Sequence, residues 1–137
     1  MDTTLEQSAR ARLITADGQE LIVPAILRYA SADPLAVHLD FPPEASLDGA
    51  EVTWTFSRTL LEEGLGQQAG TGDVHFWPCG GSRTAIELHS RSGMALLQFD
   101  TPALRRCLLR TYAVVAPGQE DVGAAVDRGL NALFGTV

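Results

Sequence analysis

Lysine is absent from this sequence of 137 residues, so all 10 basic side chains are arginines. The 17 acidic residues outnumber them, and the formal net charge is −7. A protein that binds nucleic acid needs a positive surface that displaces counterions from phosphates. This chain could form such a surface only by clustering its few arginines, so DNA, RNA and anionic membranes are disfavoured as main partners. We attribute the all-arginine set to codon usage in a GC-rich genome.

Long apolar runs are also missing, since none approaches the roughly 18 residues of a membrane helix. Acids stand near the N-terminus, where a signal peptide carries positive charge. We therefore expect a cytoplasmic protein. The chain has two cysteines, Cys79 and Cys107, and no CxxC or Cys/His cluster, which predicts free thiols and no metal site. The length and the 45% apolar content predict a single domain spanning residues 1–137.

Alternation of apolar and polar residues dominates the first hundred positions and predicts seven strands. They are Leu5–Thr15, Leu21–Tyr29, Leu35–Phe41, Val52–Phe56, Asp73–Pro78, Thr84–His89 and Met94–Phe99. Asp17-Gly18 predicts a hairpin turn between the first two strands. Pro24 predicts an edge or a bulge within the second strand, because proline cannot donate a ladder hydrogen bond.

Helical signals occupy the remaining segments. A short helix is predicted from the Ser57 cap to Gly64. A longer one is predicted with Thr101 as N-cap and Pro102 at its first position, ending at Pro117-Gly118. One face of this helix is predicted to hold Leu104, Cys107, Leu108, Thr111 and Val115. A last helix is predicted from near Gln119, with an apolar stripe of Val122, Val126, Leu130, Leu133 and Phe134.

These elements together predict an α+β fold: a mainly antiparallel seven-stranded β-sheet structure with a short helix and two C-terminal helices. Gly123 and Gly129 each cost the last helix about 1 kcal/mol relative to alanine, and it therefore needs a docking surface.

Reactive constellations are scarce. The three histidines, His38, His75 and His89, each fall on the polar phase of a different strand, which favours solvated side chains over a converged site. The Gly70–Asp73 segment precedes a strand and lacks a lysine, unlike a phosphate-binding loop. Motifs of hydrolases, zinc proteases and dinucleotide-binding enzymes do not occur. The sequence predicts no enzyme and no cofactor, with an enzyme that uses these histidines as the open alternative.

Two features could serve protein contacts. Arg105, Arg106 and Arg110 form the densest basic cluster, either a solvated helix side or a docking site for an acidic partner segment. Trp77 lies on the opposite strand phase from Val74 and Phe76, which places it on the second sheet face, under a helix or in a subunit interface. The stripe of the last helix could also contact a subunit.

Three segments, in this order, resemble the motifs of the SsgA-like sporulation and cell division family. They are Leu27-Arg28-Tyr29 followed by Ala32-Asp33-Pro34-Leu35-Ala36-Val37, Trp54-x-Phe56-x-Arg58-x-Leu60-Leu61-x-x-Gly64-Leu65, and Gly70-x-Gly72-Asp73-Val74-x-x-Trp77-Pro78. The resemblance runs from about Leu13 to Phe134. SsgB-type members are the most similar, although these motifs are shared among paralogues.

The resemblance implies more than the residues do. Family members control septum formation in sporulating filamentous actinobacteria, and some recruit the tubulin-like division protein FtsZ. The implied fold is whirly-like and the implied assembly a homotrimer, with an SsgA-like paralogue and FtsZ as partners and recruitment to division septa. The whirly-like fold raises single-stranded nucleic-acid binding as the alternative function, but fold alone does not carry function.

Overall fold

All seven predicted strands are present in the computed structural model, which describes residues 2–45 and 49–120. The strands are β1 (Thr4–Ile14), β2 (Glu20–Ala30), β3 (Ala36–Phe41), β4 (Val52–Ser57), β5 (Val74–Cys79), β6 (Arg83–Ser90) and β7 (Gly93–Asp100). The helices are α1 (Arg58–Gly64) and α2 (Thr101–Val114), and a 3-10 turn covers Pro43–Ala45. The observed strand ends differ from the predicted ones by at most one residue.

One antiparallel sheet contains all of these strands, in the order β4-β3-β2-β1-β7-β6-β5. β1 pairs with β2 from Thr4↔Ala30 to Ile14↔Glu20. Its pairing with β7 is much shorter and covers only Arg12↔Gln98, Leu13↔Leu97 and Ile14↔Leu96. We call these three pairs the seam, because they join β1–β4 to β5–β7.

The position of Pro24 explains how an interior strand accommodates proline. Pro24 pairs with Arg10 of β1. On its other side β2 pairs with β3 only from Ile26↔Asp40 to Arg28↔His38. Pro24 therefore lies where β2 has no neighbour on that side, and an N–H directed to that side would have no ladder partner. The predicted edge is confirmed locally, within a strand that is interior elsewhere.

The sheet curls until its outermost strands approach one another. The rings of Phe56 in β4 and Phe76 in β5 meet edge to face, with centroids 5.0 Å apart. The concave face holds the core, which includes Leu27, Tyr29, Val37, Leu39, Phe56, Phe76, Ile86, Leu97 and Phe99. α1 bridges β4 and β5, and α2 packs on β1 and β7. The curl therefore buries part of one face of every strand.

The start of α2 differs from the prediction by one residue. Asp100 is the N-cap and Thr101 is the first helical residue. The Asp100 carboxylate accepts a 3.0 Å hydrogen bond from Arg12 and does not cap the helix. The Thr101 hydroxyl lies 2.8 Å from that of Thr84. Both side chains are thus engaged by the sheet, which moves the helix start by one position.

The buried face of α2 is confirmed at Leu104, Cys107, Leu108 and Thr111. The helix ends at Val114, before the predicted stop at Pro117-Gly118, and Val115 is extended but still packs on the core. The second C-terminal helix and its stripe lie outside the described residues. No helix in the described segments has the length and apolar character needed to cross a membrane.

Candidate functional site

The first sequence motif forms a corner between β2 and β3. Tyr29 is fully buried, and its hydroxyl donates a 2.8 Å hydrogen bond to the Pro34 carbonyl oxygen. Burial raises the pKa of Tyr29, so the phenol stays a neutral donor. This hydrogen bond within the motif therefore stabilises the turn that brings β3 alongside β2.

The second motif places a buried arginine at the start of α1. Ser57 caps this helix by accepting a 2.9 Å hydrogen bond from the Leu60 N–H, as predicted. Arg58 follows and is only 2% exposed. Its Nη1 donates to the carbonyl oxygens of Thr111 at 3.2 Å and Val115 at 2.6 Å. One guanidinium thus caps the C-terminal end of α2 from another element, where positive charge is favoured. It adds to the hydrogen bond that the Thr111 carbonyl oxygen accepts from the Val115 N–H.

Aromatic rings and a carboxylate complete the surroundings of Arg58. Its guanidinium carbon lies 5.4 Å from the Tyr29 ring centroid and 4.9 Å from that of Tyr112, which is cation–π geometry. Its Nη2 forms an ion pair with Glu120. The hydrogen bond from Arg58 lowers the pKa of Glu120. Sequence reasoning missed this network; the signal was an arginine between two apolar motif positions.

The second and third motifs meet where β5 packs against α1, with no room for larger side chains. A Cβ placed on Gly64 would lie 2.2 Å from the Phe76 Cβ. At Gly70, where φ is +112, a Cβ would lie 2.4 Å from the Val74 carbonyl oxygen. Glycine is therefore required at both positions. Gly64 acts mainly through packing, and the three motifs together build a structural junction between the sheet edges and helices.

The histidines fall into two groups on the convex face. His75 and His89 stack edge to face with ring centroids 5.5 Å apart, and His89 Nε2 lies 2.5 Å from Glu87 Oε1. The register pairs His75 with Glu87 directly. Within the described residues, no group of three or more histidine, cysteine or acidic side chains could hold a metal ion. The three histidines lie in different strands, as predicted, but the neighbouring strands β5 and β6 bring His75 and His89 into contact.

His38 lies in the other half of the sheet. Its Nδ1 is 2.8 Å from the Thr55 hydroxyl, and its Nε2 is 3.8 Å from the Asp33 carboxylate. The order hydroxyl, imidazole, carboxylate is that of a hydrolase triad. However, 3.8 Å exceeds hydrogen-bond distance, and the Asp33 side chain is 60% exposed. This carboxylate does not orient the imidazole as a triad requires.

Three arginines of the convex face form ion pairs with acids. Arg12 pairs with Asp100 at 3.0 Å and Arg83 pairs with Glu20 at 3.0 Å. Arg28 donates from Nε and Nη2 to both oxygens of Asp40, at 2.8 and 3.2 Å. This contact raises the pKa of Arg28 and lowers that of Asp40. These pairs leave little positive potential for phosphates on the part of the sheet that they cover.

Trp77 is on the convex face, as its strand phase predicted. The register places it opposite Ala85, which is 1% exposed. Trp77 itself is half-buried. Trp77 therefore stands beside a buried alanine at the β5 edge and keeps part of its own surface available.

The predicted arginine cluster lies on the exposed side of α2. Arg105, Arg106 and Arg110 are all exposed, and Leu109 among them is 60% exposed. We call these four residues the basic face of α2. Arg110 donates a 3.1 Å hydrogen bond to the Gln7 side chain. The five predicted interface residues Val122, Val126, Leu130, Leu133 and Phe134 lie outside the described residues.

Two of the concave features among the described residues border β4. An apolar cavity of about 190 Å³ opens at the mouth of the curled sheet, and Leu13, Phe41, Trp54 and Leu97 are among its lining residues. A wider cleft of about 540 Å³ separates β4 from the Gly70–Val74 segment. The first is lined only by apolar side chains, so it offers no group for acid–base or nucleophilic chemistry.

Comparison with known proteins gives a consistent result. A family model described as "Streptomyces sporulation and cell division protein, SsgA" matches residues 23–120. A sporulation-specific cell division protein SsgB from Salinispora tropica is 44% identical over 135 residues, covering 96% of this chain and 94% of the relative. SsgB from Streptomyces coelicolor is 43% identical over 136 residues, covering 96% of each chain.

Solved structures agree with these relatives. A crystal structure of an SsgA-like sporulation-specific cell division protein from Thermobifida fusca superposes with a TM-score of 0.80 at 30% identity, covering 96% of each chain. A structure of SsgB from Streptomyces coelicolor gives a TM-score of 0.78 at 42% identity, covering 88% of this chain and 94% of the other. The resemblance seen in the three motifs therefore extends over the sequence and the fold.

Proposed function

The chain belongs to the SsgA family of sporulation and cell division proteins, and from this premise we propose that it is a non-enzymatic adaptor in sporulation-specific cell division. It forms a homo-oligomer, a trimer, and helps to select septum sites by binding an SsgA-like paralogue and FtsZ. It works in the cytoplasm of a filamentous actinobacterium and is recruited to division septa. Its relatives are named sporulation-specific cell division proteins, and this is the observation that carries the proposal.

The arrangement of polar groups supports contact over catalysis. The motif residues Tyr29, Arg58 and Gly64 are buried and satisfy structural needs. His38 is separated from the pair His75 and His89, which face solvent in part. A reaction centre would need a nucleophile, a base and an oriented third group at one place.

The exposed features supply surfaces for this role. The basic face of α2 and the half-buried Trp77 are where we place partner or subunit contacts. Their chemistry suits it, because arginine and tryptophan are enriched at the energetic centres of interfaces. The apolar stripe from Val122 to Phe134 is the remaining proposed subunit contact.

The decisive experiment deletes the gene in its host and then restores it. We expect deletion to abolish regular sporulation septa and to disperse fluorescently tagged FtsZ, with restoration by the wild-type gene. Affinity purification from sporulating cells is expected to recover FtsZ or an SsgA-like paralogue, and light scattering of the purified protein to give the mass of a trimer. Normal septation in the deletion strain would reject the proposed function.

Variants test the non-enzymatic part. Alanine variants of His38, His75 and His89 are each expected to restore septation. Failure of a stable, correctly assembled variant would favour the enzyme alternative. Anisotropy with a single-stranded DNA oligonucleotide tests the nucleic-acid alternative, and tight binding that weakens steeply with salt would favour it.

A further inference from the structure

Among the described residues, arginines divide into those with an acidic partner and those without. Four form ion pairs with acids: Arg12, Arg28, Arg58 and Arg83. On the basic face of α2, Arg105 and Arg106 have no ion pair with a described residue, and Arg110 contacts the neutral Gln7. The chain has a surplus of acids, with a net charge of −7. Arg10 and Arg91 are exposed and likewise have no ion pair with a described residue, but only α2 places three such arginines on one helix.

The residues of this face are also unfavourable for the stability of α2 itself. α2 contains no acidic residue along Thr101–Val114. Arg106 and Arg110 stand four positions apart, where like charges repel across one helical turn. Leu109, at 60% exposure, is the most exposed of the large apolar side chains in the described residues. It lies three positions after Arg106 and four after Arg105, so all four side chains share one surface.

We infer that the basic face of α2 docks an acidic amphipathic segment of a partner protein. Carboxylates of that segment pair with the arginines, and one of its apolar side chains covers Leu109. The inference rests on the proposed adaptor function and adds the chemistry of the partner and its place of contact. Guanidinium groups suit this role because their planar fork binds carboxylates through two parallel hydrogen bonds.

The composition of this face selects a peptide over other anionic partners. Residues 105 to 110 span only about 8 Å of helix axis. A nucleic-acid backbone or a membrane surface is bound through a broader array of cations, and the exposed leucine contributes nothing to a phosphate contact. Because the overall charge is −7, the rest of the surface repels an anionic partner. An acidic segment is therefore steered to this face and to one orientation.

A synthetic peptide tests the inference on the full chain. The probe is a fluorescein-labelled 18-residue helix former with glutamates flanking a leucine stripe, and fluorescence anisotropy at low salt measures its affinity. We expect R105A/R106A to weaken binding about tenfold and L109A about fivefold. The control variant Arg91→Ala removes another exposed arginine and is expected to change affinity less than twofold. Equal loss in the control, or no binding of the probe, would overturn the inference.

Charge exchange sharpens the test. R105E/R106E should lose the glutamate probe and gain a matched probe that carries lysines. Circular dichroism and thermal unfolding confirm that each variant is folded; if R105E/R106E is not, R105Q/R106Q with the glutamate probe replaces it. Binding of single-stranded DNA or of anionic vesicles that exceeds peptide binding and depends on Arg105 and Arg106 would assign this face to another partner class.

The replacement strain separates this inference from the proposed function. If R105E/R106E is folded, loses the peptide and fails to restore septation, the face is the partner site. If it loses the peptide but restores septation fully, the inference is wrong while the proposed function stands. If the deletion itself leaves septation normal, the proposed function fails, and peptide binding alone no longer assigns a division partner.

Discussion

Arg58 donates a 2.6 Å hydrogen bond to the carbonyl oxygen of Val115, although Arg58 begins α1 and Val115 follows α2. Because the same Nη1 also reaches Thr111, a single buried cation closes the end of a distant helix. It ties the second sequence motif to the C-terminal end of the described chain. Several expectations about stability depend on this junction.

We expect Arg58→Ala to lower the free energy of unfolding by about 3 kcal/mol. It removes the side-chain donor of the Val115 carbonyl oxygen and a buried cation that packs against two aromatic rings. Arg58→Lys should recover only part, since an ammonium lacks the planar fork. Urea unfolding at neutral pH measures both. The exposed Arg91 provides the control, with a change below about 0.5 kcal/mol in Arg91→Ala. An Arg58→Ala protein as stable as the wild type would contradict this role.

Gly64 tests the packing of β5 against α1. A Cβ at Gly64 would lie 2.2 Å from the Phe76 Cβ, so Gly64→Ala is expected to cost about 2 kcal/mol or more through backbone displacement. Gly72 is the matched control, because nothing lies within 4 Å of its Cβ position. Gly72→Ala should be neutral or slightly stabilising. Equal thermal midpoints for the two variants would disprove the steric argument.

Asp40 predicts an acid-sensitive contribution to stability. Hydrogen bonds from Arg28 and Thr53 lower its pKa below the usual 3.8, so the folded state holds the carboxylate more strongly than the unfolded chain does. The stabilisation is present above the unfolded pKa and is lost as the pH falls through the folded pKa. We expect Asp40→Asn to cost about 1 kcal/mol at pH 7.

The pH profile makes this expectation specific. The stability difference between the wild type and Asp40→Asn should shrink as the pH falls below about 4. Asp73→Asn, at an exposed loop position, should follow the wild-type profile. A difference that stays constant from pH 7 to pH 2 would show that the loss is not electrostatic.

The two thiols should differ in reactivity. Cys107 is 1% exposed, and burial raises its pKa to about 11, whereas Cys79 is half-exposed. Because the thiolate is the reactive form, we expect one thiol of the folded protein to react quickly with Ellman's reagent and the second only after unfolding. Cys79→Ser should abolish the fast phase. A fast phase that persists in this variant would contradict the burial of Cys107.

Sequence periodicity predicted the strands well because each has one buried face, and alternation reports burial directly. Val37 and Leu39 are fully buried and flank the half-buried His38. The capping hydroxyl of Ser57 was equally visible, since a cap depends on neighbours in sequence. Local chemistry therefore fixed the elements and their faces.

Contacts between distant elements could not be read in this way. No residue near Asp100 in the sequence indicates that Arg12 binds its carboxylate. The sequence therefore predicts the N-cap of α2 one residue too late. The role of Arg58 depends on carbonyls more than 50 positions away, and its burial contradicts the usual preference of arginine for the surface. The pairing of His75 with His89 required the strand order, which alternation does not supply.

The seam has a consequence for how the chain reaches its native state. Each hairpin can form from neighbouring residues, but Leu13 and Leu97 meet only after most of the sequence has been brought together. Closing so large a loop costs entropy before any contact offsets it, which slows folding. The three seam pairs join the residues that are farthest apart in sequence within the sheet. We expect the formation of these pairs to limit the rate at which β1–β4 and β5–β7 assemble into one sheet.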